Sequence, residues 1–318
     1  MSDIVLWFHE VDCNNIDVAG GKGANLGELT RAGIAVPPGF VVSADVYRSF
    51  LEVHGLRDEI ERHLSGLDHN ERDALARVSD AIQQLIDGAV MPEEIAAAIC
   101  AAYEQLDATL VAVRSSATAE DLPTASFAGQ QRTLLNISGA DAVVDAVKAC
   151  WASLFETQAI HYRAQGGFDH LDCAIAVPVQ KMVQSERSGV MFTVNPVTND
   201  TGQMIIEAVF GLGEAVVSGM VTPDTYIVDK ATLAVLDCSV AEQEQELVLG
   251  DGGGGETNVW RDIEPARRAQ QKLLDVEIAA LAQLGLQVEA HYGRPQDIEW
   301  AIENGETYIL QARPVTTL

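Results

Sequence analysis

Asp297-Ile298-Glu299-Trp300-Ala301-Ile302-Glu303-Asn304-Gly305-Glu306-Thr307-Tyr308-Ile309-Leu310-Gln311-Ala312-Arg313-Pro314-Val315 reads as two strands around a turn at Asn304-Gly305. Strand side chains change face at every residue, so the register decides which residues meet. A two-residue turn in unbroken register would set Ile298 and Gln311 on one face and mix apolar with polar. An odd-length loop, with Gly305 in a left-handed bulge position, keeps the sets apart. Ile298, Trp300, Tyr308 and Leu310 are then expected to be buried together. Asp297, Glu299, Gln311 and Arg313 share the other face. Two carboxylates, an amide oxygen and a guanidinium are the groups a Mg²⁺–phosphate site needs. A solvated strand face with a chance ion pair would carry the same residues, and the hairpin alone leaves both readings open.

Working outward, the 318 residues can enclose a large core and suit one big or two medium domains. Apolar residues make up 47%, ordinary for a globular protein. With 47 acidic and 20 basic residues the net charge is −27, which argues against nucleic acid or an anionic membrane as a general partner. An anionic ligand must then be held by a local constellation and a metal. Cys13, Cys100, Cys150, Cys173 and Cys238 form no C-x-x-C pair, so neither a zinc site nor a disulfide framework is indicated, and a cytoplasmic location is expected. No apolar run is long enough to span a membrane, and Met1-Ser2-Asp3 does not read as the start of a signal peptide.

Strand and helix patterns alternate in both halves. Ile4–Phe8 and Phe40–Val42 read as strands, and residues from about Ala44 to Asp107 as helical, with Ile60/Leu64, Leu75/Val78/Ile82/Leu85 and Ile95/Ile99/Tyr103 at helical spacing. Asp141 is expected to cap a helix that turns Val144, Val147, Trp151 and Phe155 inward. Another helix is expected over Pro265–Leu284. Ser185–Gly189 is an acceptable boundary, giving lobes at 1–185 and 186–318.

Gly20-Gly21-Lys22-Gly23 precedes a short amphipathic helix. It is not a P-loop, because the Lys does not follow a G-x-x-x-x-G. It either offers backbone N–H groups and an ammonium to a phosphate or is a plain turn with a solvated Lys. Leu110–Val113 is an apolar strand delivering Arg114-Ser115-Ser116. A strand end suits a ligand group, and Arg binds phosphate in bidentate fashion, although Glu120 or Asp121 could also pair with it. Phe127–Thr133 reads as a flap of small residues followed by a strand. Val177–Val183 is an apolar strand containing Pro178, which predicts an edge or linker position. The seven His residues show no ligand or triad spacing.

Taken together and in this order, Gly20–Leu29, Val36–Phe40, Val113–Asn136, Trp151–Phe155, Gly189–Thr198, Glu207–Tyr226 and Pro295–Val315 resemble the N-terminal ATP-binding domain shared by phosphoenolpyruvate synthase, pyruvate phosphate dikinase and rifampicin phosphotransferase. Gly167–His170 and Gly293–Trp300 are most similar to the last of these. The resemblance covers essentially the whole chain. It implies an α+β, ATP-grasp fold, with two lobes enclosing a nucleotide cleft. It implies that Lys22 contacts ATP phosphates, Arg114 the transferred phosphate, and Thr133 the nucleotide. Gln180, Lys181 and Met182 match a hinge strand holding adenine through its backbone. Glu299 and Gln311 match Mg²⁺ ligands, Arg313 a second phosphate Arg, and Asp297 an acidic neighbour of these groups. In the family, ATP gives its β-phosphate to a histidine on a swivelling domain, leaving AMP and phosphate.

Two departures stand out. No Thr-Ser-His-type phosphohistidine segment occurs in residues 1–318, so the expected partner is a phosphohistidine domain acting in trans. Arg132 also stands where an acidic residue is expected. The leading expectation is therefore the ATP-binding component of a dikinase-type phosphotransferase, for a phosphoenolpyruvate-synthase-like or antibiotic-phosphorylating system. A nucleotide-binding regulatory subunit without turnover and a piece of a longer antibiotic-inactivating kinase are the alternatives. Retention of Lys22, Arg114, Glu299, Gln311 and Arg313 speaks for turnover.

Overall fold

A computed structural model describes residues 3–118, 121–122, 125–126, 132–250 and 257–315. Helix and sheet are mixed throughout, and the chain divides into two units. One is Met1–Glu28 with Pro38–Met182, the other Leu29–Pro37 with Val183–Leu318. The expected boundary at 185/186 lies three residues beyond Met182. Nothing in the residue pattern of Leu29–Pro37 separates it from its surroundings; its place is set by long-range contacts such as Ile309 N–H donating to Ala35 O at 2.8 Å.

The first unit runs β1 (Val5–Trp7), α1 (Ile16–Arg31, which enters the second unit at Leu29), β2 (Gly39–Val42), α2 (Ala44–Val53), α3 (Leu56–Leu64), α4 (Arg72–Gly88), α5 (Glu93–Leu106), β3 (Val111–Arg114), β4 (Ser116–Ala117), the short pair β5 (Asp121–Leu122) and β6 (Ala125–Ser126), β7 (Thr133–Ile137), α6 (Ala140–Ala152), α7 (Thr157–Gly166) and β8 (Ile175–Lys181). Its sheet has the order β1-β2-β8-β3-β7, with β4 also on β8. The helical spacing read over Ala44–Asp107 resolves into α2–α5. Trp151 is fully buried, with the Phe50 ring 4.9 Å and the Tyr47 ring 6.0 Å away between centroids. Asp141 does not cap α6. The helix starts after Gly139, and Asp141 sits in its first turn, where a carboxylate suits the helix dipole.

Pro178 corrects one expectation. β8 is not an edge strand; it lies inside the sheet, with β2 on one flank and β3 and β4 on the other. β3 pairs with it as far as Val113–Val179, and β4 resumes at Ser116–Ala176. The ladder skips Arg114 and Ser115, and Pro178, which has no N–H to give, falls in the skip.

The second unit contains β9 (Arg187–Phe192), β10 (Gln203–Phe210), α8 (Glu214–Val217), β11 (Asp224–Asp229), β12 (Val235–Ser239), the pair β13 (Gln245–Leu249) and β14 (Asn258–Asp262), α9 (Pro265–Arg268), α10 (Asp275–Tyr292), β15 (Gln296–Glu303) and β16 (Glu306–Pro314). The sheet order is β12-β11-β10-β9-β15-β16. Met191, Met204, Ile206, Tyr226, Leu281, Ile298, Trp300 and Ile309 form its core. The single helix expected over Pro265–Leu284 is two helices. Between them Lys272 N–H donates to Asp224 Oδ2 at 2.8 Å and Leu273 N–H to the Tyr226 hydroxyl at 3.3 Å. Those side chains, nearly fifty residues earlier, draw the backbone out of helical geometry. Among the described residues no helix is long and apolar enough to cross a membrane.

Candidate functional site

In the second unit the site face is built by the closing hairpin. Asn304 and Gly305 both have positive φ, 52° and 81°, so the turn is a two-residue type I′ turn closed by Glu303 and Glu306. The odd-length loop expected from sequence is absent. Parity is corrected further along, where the register slips by one between Glu299 and Trp300 and leaves Leu310 as the extra, bulged residue. On the buried face Ile298 and Trp300 are therefore joined by Ile309 and Ala312, each at most 1% exposed, while Tyr308 and Leu310 are only half-buried. On the polar face Glu299 lies opposite Gln311 and Asp297 opposite Arg313. All four polar residues named from the sequence are thus brought together.

Arg313 Nε donates to Asp297 Oδ2 at 2.8 Å, so Asp297 holds the arginine side chain. Burial pushes the Asp297 carboxyl above its ordinary pKa; the Arg313 cation pulls it down, and the Glu299 carboxylate adds to the rise. Sequence reasoning missed Glu207. It pairs with Val190 on β9, which in turn pairs with Glu299, so Glu207 and Glu299 point to the same face two strands apart. Burial, then the Asp297 carboxylate, raises the Glu207 pKa. The signal was available: one carboxylate in the otherwise apolar run Met204-Ile205-Ile206-Glu207-Ala208-Val209-Phe210.

The first unit carries the other residues. α1 is broken at Gly20, whose φ is 65°, so a fresh helical start follows it. The N–H groups of Lys22 and Gly23 do not point to open space. Both donate to Ser116 Oγ, at 3.1 and 3.4 Å. Lys22 is half-buried, not solvated, and its Nζ donates to Ser115 O at 3.4 Å. Arg114 is 7% exposed and pairs across β3–β7 with Thr133, which is exposed. Lys22, Arg114 and Thr133 therefore cluster around the Arg114-Ser115-Ser116 segment. Arg132 is exposed, and its carbonyl accepts the Ser115 N–H at 2.9 Å. Phe127–Gln131 of the expected flap lies outside the described residues.

Gln180, Lys181 and Met182 form and follow the end of β8, several residues from Arg114 in the register. Gln180 is buried. Lys181 N–H donates to Pro38 O at 2.9 Å and Met182 N–H to Leu110 O at 3.0 Å. Both amides are committed within the protein.

The chain can thus offer phosphate two cations on one framework, Lys22 and Arg114, and offer a hard cation two oxygen donors on another, Glu299 and Gln311, beside a third cation, Arg313. A family model described as the pyruvate phosphate dikinase AMP/ATP-binding domain matches residues 16–318. A probable phosphoenolpyruvate synthase of Methanocaldococcus jannaschii is 52% identical over 320 residues, covering 99% of this chain and 27% of that protein. One from Methanothermobacter thermautotrophicus is 50% identical over 324 residues, covering 100% of this chain and 47% of that protein. The rifampicin phosphotransferase of Bacillus subtilis is 41% identical over 320 residues, covering 100% of this chain and 36% of that protein. The chain spans between about a quarter and a half of the length of these relatives.

Proposed function

This chain belongs to the pyruvate phosphate dikinase AMP/ATP-binding domain family, and from that premise we propose that it binds Mg·ATP in an ATP-grasp fold and delivers the β-phosphate to a histidine of a separate phosphohistidine domain. AMP and phosphate are the other products, the γ-phosphoryl group passing to water, and the phosphohistidine passes its phosphoryl group to the final acceptor. The reaction is cytoplasmic. The observation that carries the reading is the register of β15 and β16, which sets Glu299 against Gln311 and Asp297 against Arg313 on one face.

Glu299 and Gln311 fit a magnesium ion, because a carboxylate and an amide carbonyl are hard oxygen donors and phosphate oxygens can complete the shell. When bound, Mg²⁺ supplies charge neutralisation at the phosphates. Lys22, Arg114 and Arg313 bind phosphate oxygens. Thr133, paired with Arg114, adds a hydroxyl. Phosphoryl transfer asks mainly for positioning and electrostatic stabilisation, and these cations provide it in a chain whose overall charge is −27. The segment Gln180–Met182, whose Lys181 and Met182 amides are committed within the protein, is assigned to the adenine side of the nucleotide.

The test is to incubate the protein with Mg²⁺, β-³²P ATP and a phosphohistidine domain from a family member. Label on the histidine of that domain together with AMP is the expected result. Tight ATP binding with neither AMP nor label would replace this reading by that of a nucleotide-binding subunit without turnover. AMP and a labelled small acceptor formed by residues 1–318 alone would show that the phosphoryl-carrying group has been misplaced.

A further inference from the structure

Ser116 ends the Arg114-Ser115-Ser116 segment, and its hydroxyl is where the glycine turn and the arginine strand are fastened together. It is completely buried. Its Oγ accepts the N–H groups of Lys22 at 3.1 Å and Gly23 at 3.4 Å and donates to Ala19 O at 3.2 Å. It thereby touches both sides of the break at Gly20. Gly20 itself leaves no space between the two segments, since a Cβ there would lie 2.2 Å from Ser116 Oγ. The Ser116 backbone is fixed in turn by pairing with Ala176 on β8.

The first N–H groups of a helix need an acceptor, which a local cap residue or an anion ordinarily supplies. Here a hydroxyl from 94 residues away does so, two positions after Arg114. The side chain of Lys22 returns to the same segment through Ser115 O. Lys22 is therefore tied to the Arg114-Ser115-Ser116 segment at its backbone and at its ammonium.

We infer that Ser116 is a positioning residue that sets Lys22 against Arg114, so that ammonium and guanidinium address the same phosphate group. The inference rests on the reading that both cations bind ATP phosphates. Ser116 acts only through Lys22; its own hydroxyl is occupied by the turn and makes no contact with the nucleotide.

A four-protein cycle on the full chain tests this: wild type, Lys22→Ala, Ser116→Ala and the double variant, each titrated calorimetrically with Mg·ATP and each melted thermally to confirm folding. Ser116→Ala should weaken binding about tenfold, the effect expected of losing a helix-capping hydroxyl worth about 1.4 kcal/mol. In the Lys22→Ala background the same change should add less than about twofold, because the group through which Ser116 acts is gone. A hydroxyl that merely stabilises the fold would give losses that add, and that result overturns the inference. Wild-type affinity in Ser116→Ala overturns it too, while leaving the phosphate role of Lys22 standing. Full binding by Lys22→Ala would instead remove the phosphate reading, and the inference with it. Should Ser116→Ala fail to fold, Ser116→Cys, which keeps the shape and a weak donor and acceptor, carries the same cycle.

Discussion

Arg313 and Asp297 hold each other across the last two strands: Nε and Nη2 of the guanidinium both lie 2.8 Å from Oδ2 of the carboxylate. Both nitrogens meet a single oxygen, and the arginine keeps 46% of its side-chain exposure while the aspartate keeps 12%. Such a partly exposed pair contributes little to folding. Its effect is to limit where the guanidinium can point. Asp297→Ala should therefore leave the thermal midpoint within about 2 °C of wild type but weaken Mg·ATP binding roughly twofold to fivefold, in line with the worth of an exposed ion pair. Calorimetry and a melting curve read the two effects separately, and a large drop in the midpoint would show that the pair is structural instead.

Glu299→Ala should abolish the dependence of ATP binding on magnesium. The carboxylate faces Gln311, and a hard cation held by an amide oxygen alone is not retained. Titrating ATP with Mg²⁺ and with a chelator should give two different affinities for the wild type and one affinity for the variant. Unchanged binding of Mg·ATP by Glu299→Ala would remove this residue from the metal site.

Arg114→Ala should cost on the order of a hundredfold in turnover with a phosphohistidine partner, as does loss of a group that meets charge developing in the transition state. Arg114→Lys should recover only part of it, since an ammonium cannot make the bidentate contact. Steady-state AMP release measures both variants, and a loss of less than about threefold for the alanine variant would return Arg114 to a structural role.

His170 gives the protein an acid limit. Arg163 Nε donates to its Nδ1 at 3.2 Å, so that nitrogen must stay unprotonated. Burial, then the Arg163 cation and His69, lower its pKa from 6.5 to about 4, with Asp169 pulling weakly the other way. The unfolded chain takes up this proton near 6.5 and the folded chain does not. Stability present above pH 6.5 is therefore lost as the pH falls towards about 4. His170→Gln keeps an acceptor for Arg163 without the titration. Urea midpoints at neutral pH and at pH about 5 should diverge less for the variant than for wild type, and equal slopes would exclude His170 as the source.

Asp224 and Lys272 are both fully buried, with Nζ 2.7 Å from Oδ1. Asp224 also accepts the N–H groups of Ala241 and Lys272 and the Tyr226 hydroxyl. Asp224→Ala leaves an ammonium in the core with the Ala241 carbonyl and the Phe210 ring for company. The expected loss is about 3–5 kcal/mol, read from denaturant unfolding.

How far the residues themselves disclosed this depends on how local each signal is. The Asn304-Gly305 turn and the polar set Asp297, Glu299, Gln311 and Arg313 are local and were legible. The bulge at Leu310 was not, because an apolar residue among apolar residues carries no mark of being surplus to the register. Pro178 was read correctly as a residue without a donor. The sheet satisfied that in a way sequence cannot show, by opening the ladder at Arg114. The break between α9 and α10 was hidden because its cause, the hydrogen bonds of Asp224 and Tyr226, lies far away in the chain. The bonding of Ser116 was hidden for the same reason, since its partners Lys22 and Gly23 lie on a helix more than ninety residues earlier, whereas Glu207 had a local mark as the one carboxylate in an apolar run.

The surplus residue at Leu310 makes one point of the last strand tolerant of a change in length. Deleting Leu310 would leave Trp300 facing Ile309 and Glu299 facing Gln311, with plain alternation restored on both faces. A deletion at Thr307 could be absorbed only by pressing out the bulge, which would turn Ile309 to the polar side and Tyr308 inward. Insertions and deletions tolerated in this hairpin should accordingly gather at Leu310, where chain length can drift while Glu299 and Asp297 keep their partners Gln311 and Arg313.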